Sequence, residues 1–134
     1  MQPNPFLYRY LAWWRAIAFL WLVAVIVYSL LPPSDMPHLH INDKIEHGFS
    51  YAVLMFFFAS VTPRSWHGLL ALIFVAMGIG IEYVQRAVGY RHFEVADMFA
   101  NGVGIAIGLG LSFTPIGRLF GALDRALARA VARG

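Results

Sequence analysis

Four long apolar runs and one shorter amphipathic stretch make up most of the chain. The first run covers 11–31 and has Arg15 as its one charge. It stops at Pro32 and Pro33, because proline lacks an amide donor and drives the residue before it out of helix. The second, 44–61, follows Asp43, which with Glu46 three residues later reads as an acidic relative of the capping box. Thr62 and Pro63 read as the N-cap and first position of the third run, 64–87, which closes near Gly89. The fourth is 95–113. Thr114 and Pro115 then open a last helix over 115–133, with Arg118, Arg125, Arg129 and Arg133 on one side of a helical wheel and Leu119, Phe120, Leu123, Leu127 and Val131 roughly opposite. The pattern predicts an all-α polytopic membrane protein: a four-transmembrane-helix bundle plus a C-terminal amphipathic interfacial helix, in one domain over 1–134.

Composition agrees with lipid as the solvent. The 134 residues are 60% hydrophobic and 13% charged, about half the charged share of roughly 25% usual in soluble domains. Mean hydropathy is +0.65. Spans of about 20 residues each leave no room for a soluble catalytic domain. The net charge of +3 comes almost wholly from arginine, since Lys44 is the single lysine. These arginines stand singly beside apolar spans, so they read as topology and headgroup signals, and no nucleic-acid binding is expected. Cysteine is absent, which excludes disulfides and thiolate chemistry. Pro32 and Pro33 stand where a signal peptide would have small residues, so the first run reads as a retained anchor.

Within the fourth run Gly102, Ala106 and Gly110 recur every four residues, as do Gly104 and Gly108. Small residues at that interval let backbones approach closely in lipid, which places the fourth helix at the centre of the packing. The polar residues are scarcer and more telling. An ionisable side chain near the bilayer centre costs on the order of 2.5–3.5 kcal/mol, so each needs a partner or a task. Asp43, His47 and Tyr51 share one helical face, Glu82, Gln85 and Arg86 another, and Asp97, Asn101 and Gly104 a third.

Lys and Arg flanking the spans give the orientation. Arg9, Arg15, Arg64 and the tail arginines belong to the cytoplasmic side. The connections holding Lys44 among Asp35, Asp43 and Glu46, and Arg86 and Arg91 beside Glu94 and Asp97, face out. A helix starting at the inner surface beyond Pro63 carries Glu82 about 28 Å up, close to the outer boundary. Three helix ends therefore bring polar side chains to one level.

Asp43, Lys44, His47 and Tyr51, followed by Glu82, Gln85, Arg91, Asp97, Asn101 and Gly104, resemble the VanZ-like family of small bacterial membrane proteins over roughly 22–110. The chain departs from it at Ile81, where many relatives carry a second acid, and in its arginine-rich tail. The resemblance implies a multi-pass protein of the bacterial cytoplasmic membrane and a link to resistance against the glycopeptide teicoplanin, which acts on lipid-linked cell-wall precursor outside that membrane. It implies no established activity.

The residues leave the chemistry open among three classes. A site binding the polar head of a membrane lipid or lipid-linked envelope precursor would use Lys44, Arg86 and Arg91 on a phosphate or carboxylate, with Tyr51, Gln85 and Asn101 hydrogen bonding and Asp43 and Asp97 balancing charge. An enzyme would use His47 and Glu82 as acid and base. A structural or assembly partner would use the same groups only to satisfy one another. No cofactor is expected, and no short ligand spacing supports a metal held by His47, Glu82 and Asp97. His38 and His40 read as solvated loop residues, and His67 and His92 as headgroup-level ones. The tail arginines read as contacts to an anionic inner leaflet, and the oligomeric state is left open.

Overall fold

The structure, a computed structural model, describes residues 4, 7–32, 42–89 and 94–133. Expectations for Asp35, His38, His40, Arg91 and His92 fall outside them. All regular structure among the described residues is helical: α1 (Leu11–Leu30), α2 (Asp43–Val61), α3 (His67–Val88), α4 (Val95–Ser112) and α5 (Leu119–Val131), with single turns of 3-10 helix at Arg64–Trp66 and Pro115–Arg118.

The punctuation works locally as expected at most boundaries. Leu31, forced out of helix by Pro32, is extended at the end of α1. Gly89 ends α3 with φ 78°, a left-handed conformation that glycine adopts without the Cβ penalty. The Thr114 hydroxyl accepts from Ile116 N–H and opens the turn before α5. Two caps differ. Asn42, one residue earlier than expected, caps α2 by accepting the Lys44 N–H. The Thr62 hydroxyl bonds back to the Phe58 carbonyl at 2.6 Å, so it finishes α2 and leaves the next turn without a side-chain cap.

Among the described residues, three segments are long and apolar enough to cross a membrane: Leu11–Leu30, Arg64–Val88 and Val95–Ser112. They expose large apolar side chains that no water-facing helix would carry together, among them Phe19, Leu20 and Val23 on α1, Leu72 and Val75 on α3, and Phe99, Val103 and Ile107 on α4. This marks a membrane protein. The remaining long helix, α2, begins with Asp43, Lys44 and Glu46 and carries His47, Ser50 and Tyr51 before its apolar run starts at Ala52.

That helix is also the most enclosed of the bundle, with Tyr51, Leu54, Met55, Phe58 and Ala59 all buried. The sequence pattern put α4 in this place, and half of its argument holds. A Cβ on Gly104 would run into the carbonyl oxygen of Gly48, and one on Gly108 into that of Ala52, so this stripe is what lets α4 lie against α2. The other stripe faces outward: Gly102 and Gly110 have nothing near them, and Ala106 is exposed. Phe58 stacks edge-on against Phe19 of α1 and Phe74 of α3, and these contacts complete the core.

At one end the start of α1 packs on α5. Trp14 and Phe57 each meet Phe120 edge to face at 5.2 Å, so Phe120 is buried rather than part of an exposed apolar face. Leu119, Leu123, Leu127 and Val131 are exposed, as are Arg118, Arg125, Arg129 and Arg133. The Arg15 side chain reaches the Val61 carbonyl, which places the end of α2 beside the start of α1. His67 is buried under Phe113. The start of α3 is thus packed against the end of α4.

Candidate functional site

At the opposite end, α2 and α4 start side by side and the last turns of α1 and α3 finish. Their close approach at Gly104 and Gly48 carries the polar faces of both helices into contact. His47 Nδ1 lies 3.1 Å from Asn101 Oδ1. An amide oxygen only accepts, so Nδ1 carries a hydrogen, and in the neutral ring Nε2 then keeps its lone pair. That lone pair is on the side of Asp97, whose Oδ2 is 3.9 Å from Nε2.

Gly78 on α3 makes room for the third wall. A Cβ there would stand 3.0 Å from Asn101 Nδ2 and 3.3 Å from the Tyr51 hydroxyl. Two turns of α3 run from Gly78 to Gln85, and the side chains of Glu82 and Gln85 both serve helix ends. Glu82, 0% exposed, accepts the Glu94 N–H at 3.1 Å, which sets a carboxylate against the positive end of α4. Gln85 donates at 2.7 Å to the Ser29 carbonyl, one of the last carbonyls of α1 that its own helix cannot satisfy.

Six of the sequence-derived site residues are thus buried together at this end: His47, Tyr51, Glu82, Gln85, Asp97 and Asn101. Asp43 and Lys44 lie at its exposed edge, and Arg86 is on the exposed side of α3. Arg91 lies outside the described residues. Lys44 Nζ bonds Glu94 Oε2 at 2.8 Å and stands 3.7 Å from Asp97 Oδ1, so its ammonium is held by carboxylates. Tyr28 donates to Glu46 at 3.3 Å, which links the last turn of α1 to the first of α2.

Sequence reasoning missed the composition of the inner group. The ligand atoms of Asp43, His47 and Asp97 lie within 4.8 Å of one another; Asp43 stands in the place expected for Glu82. The signal was available, since Asp43 and His47 are an i, i+4 pair on one helix face. The Tyr51 hydroxyl and Asp97 Oδ1 are buried and make no hydrogen bond among the described residues. Leaving such a group unsatisfied costs about 1–3 kcal/mol, so both atoms are places where the cluster would gain from a further partner.

Beside the cluster, α1 and α2 enclose a cavity of about 550 Å³. Its walls are apolar over Trp21, Ala24, Val25 and Phe49, and it ends on Asp43, Glu46 and His47. The Trp21 indole bonds the Ser50 carbonyl at 3.2 Å and crosses between the two helices at the far end. From there to Tyr28 is two turns of helix, or about 10 Å of groove.

One relative shares this sequence at a distance. An uncharacterised protein of the fission yeast Schizosaccharomyces pombe is 28% identical over 109 residues, spanning 78% of this chain and 67% of its own. No family model matches the chain. No solved structure matches it either. The geometry therefore carries the functional reading: an apolar groove running into a buried polar cluster in which Asp97 Oδ1 makes no hydrogen bond among the described residues.

Proposed function

We propose that the chain is a four-span protein of the bacterial cytoplasmic membrane, VanZ-like in kind, that holds a membrane lipid or lipid-linked envelope precursor. The acyl or prenyl segment occupies the groove between α1 and α2, and the head lies at the cluster of Asp43, His47 and Asp97. The observation that carries this is the cavity, because its apolar walls run directly into the polar end. Binding is the reading rather than turnover, since Glu82, the expected partner of His47 in acid–base chemistry, is engaged by the start of α4. The distant likeness to a fungal protein favours a head group not confined to bacterial walls, so a lipid phosphate is put ahead of a teicoplanin-related precursor. In this reading α2 is the fourth span, the arginine-bearing end with α5 lies on the anionic inner leaflet, both termini are cytoplasmic, and the Asp97 end opens outward.

Two measurements test it. Ala24→Trp places a large ring in the groove at an exposed position, so lipid phosphorus recovered with the purified protein should fall sharply while thermal stability holds; undiminished lipid would overturn the reading. Single cysteines at Glu94 and Arg125 test the orientation: an impermeant thiol reagent on whole cells should label the first and spare the second.

A second reading, a structural or assembly partner, is favoured by the outward stripe of Gly102, Ala106 and Gly110, which no other described helix covers. It predicts that Ala106→Leu changes the oligomeric state in detergent and leaves bound lipid alone.

A further inference from the structure

The described starts of α2 and α4 are by themselves unsuited to an anionic head group. The starts of α2 and α4 bring together four carboxylates, Asp43, Glu46, Glu94 and Asp97, with Lys44 as their single lysine, and that lysine already bonds Glu94. Acidic side chains are common in first turns because the helix dipole favours them. The dipole does not account for enclosing Asp97, which is 3% exposed, beside a second aspartate and an imidazole.

We propose that Asp43, His47 and Asp97 form a binding site for a first-row divalent cation such as Mn²⁺ or Zn²⁺. Three features of the side chains support it. Their ligand atoms lie within 4.8 Å of one another, so side-chain shifts of a few tenths of an ångström bring them within the at most about 4.4 Å that two ligands about 2.0–2.2 Å from a shared ion can span. The buried Oδ1 of Asp97 makes no hydrogen bond among the described residues, and Lys44 Nζ at 3.7 Å is too far to give it one. His47 is held as a metal-binding histidine is usually held: Asn101 takes the Nδ1 hydrogen, which fixes the ring and turns the Nε2 lone pair toward Asp97. Two carboxylates and one imidazole suit Mn²⁺ or Zn²⁺ better than softer ions, which seek sulfur.

The ion gives the groove its head-group specificity. Bound at Asp43, at the mouth of the cavity, it offers open coordination positions to a phosphate that the carboxylates alone would repel. This last step rests on the lipid reading above; the ion site itself does not.

The test uses the full chain purified in detergent, stripped with EDTA and titrated with Mn²⁺ by electron paramagnetic resonance, with Zn²⁺ as competitor. Wild type should take up one ion per chain. Asp43→Asn changes an exposed residue and should fold, yet weaken Mn²⁺ binding on the order of tenfold or more, since even outer partners of a metal site are worth that much. Asp97→Asn, with folding checked by circular dichroism, should do the same. Absence of saturable Mn²⁺ and Zn²⁺ binding, or equal affinity in wild type and both variants, overturns the site. Phosphorus analysis of retained lipid with and without EDTA separates the two readings. Lipid that stays bound after EDTA to a chain that takes up no ion ends the cation proposal and spares the groove. An ion site in a chain that retains no lipid supports the proposal and ends the groove reading.

Discussion

Asp97 and Asp124 are equally enclosed, each 3% exposed, at opposite ends of the bundle, yet their surroundings differ in kind. Asp124 accepts the backbone N–H of Arg9 at 2.8 Å, the N–H of Tyr10 at 2.9 Å and the Trp14 indole N–H at 2.9 Å. It thereby caps α1 from α5, where Tyr10 offers no side-chain cap of its own. Burial pushes this carboxyl up, but the donors from Tyr10, Trp14 and Arg9, with Arg125 nearby, outweigh it and hold it below the usual carboxylate range. Asp97 has no donor on Oδ1 and faces an imidazole, a second aspartate and a distant ammonium. Burial of a charge is therefore not the mark of function in this chain; incomplete satisfaction is.

The largest effect expected is from Gly104→Leu. The new side chain would force α4 away from Gly48, separate His47 from Asn101 and cost well over the roughly 1–3 kcal/mol of ordinary overpacking. Cation uptake should vanish and the protein should fail to accumulate or become polydisperse. The sharper form of the test is hydrogen exchange in whatever protein survives. Protection should be lost at the starts of α2 and α4 and kept at Arg9 and Tyr10, because the Asp124 clamp does not depend on that contact.

Next comes Asp124→Ala, which strips three donors of their acceptor. Hydrogen bonds to charged groups are worth about 1.5–3 kcal/mol each and are not additive, so a loss of roughly 3 kcal/mol is expected. It should appear as a lowered Tm with Mn²⁺ binding unchanged. The pH dependence has a definite sign. A carboxyl whose folded pKa lies below its unfolded value contributes its full stability above the unfolded value and loses it as pH falls through the folded one. Acid should thus release α5 from α1 only below the ordinary carboxylate value of 3.8, and wild type and Asp124→Ala should converge in Tm there. A difference that persists at lower pH would mean that packing of Phe120, rather than the carboxylate, holds the clamp.

This contrast explains what the sequence made legible. Helix boundaries could be read because Pro32, Gly89 and the Thr114–Pro115 pair act on their own neighbours. The polar end could be read because its residues recur at i, i+4 on three helices. Asp124 could not: its partners lie 110 to 115 residues away, and at the edge of an arginine-rich face it looks like one more surface charge. Which glycine stripe would be buried was equally out of reach, since Gly102 and Gly104 differ only in the direction their helix presents to α2. Asp43 was visible as a face-mate of His47, but its place in a ligand set needed Asp97 from α4.

Asp97→Asn should show the reverse of Asp124→Ala. It removes a buried charge that no hydrogen bond on Oδ1 repays, so stability should stay level or rise by about 1 kcal/mol, while Mn²⁺ affinity falls. A large drop in Tm would put Asp97 in the same class as Asp124 and dissolve the distinction between the two ends.

The smallest effect, and the most discriminating, belongs to Lys44→Gln. Its ammonium bonds Glu94 in a half-exposed pair, and exposed pairs contribute little, so Tm should not move. Its charge lies 3.7 Å from Asp97 Oδ1, where it competes with a bound cation. Removing it should tighten Mn²⁺ binding modestly and leave retained lipid unchanged or increased. If Lys44 instead grips the phosphate itself, as the sequence pattern suggests, the same substitution should release lipid and leave Mn²⁺ affinity where it was. Because the two outcomes move opposite quantities, one titration and one phosphorus assay on a single variant decide whether the carboxylates or the lysine meet the head group.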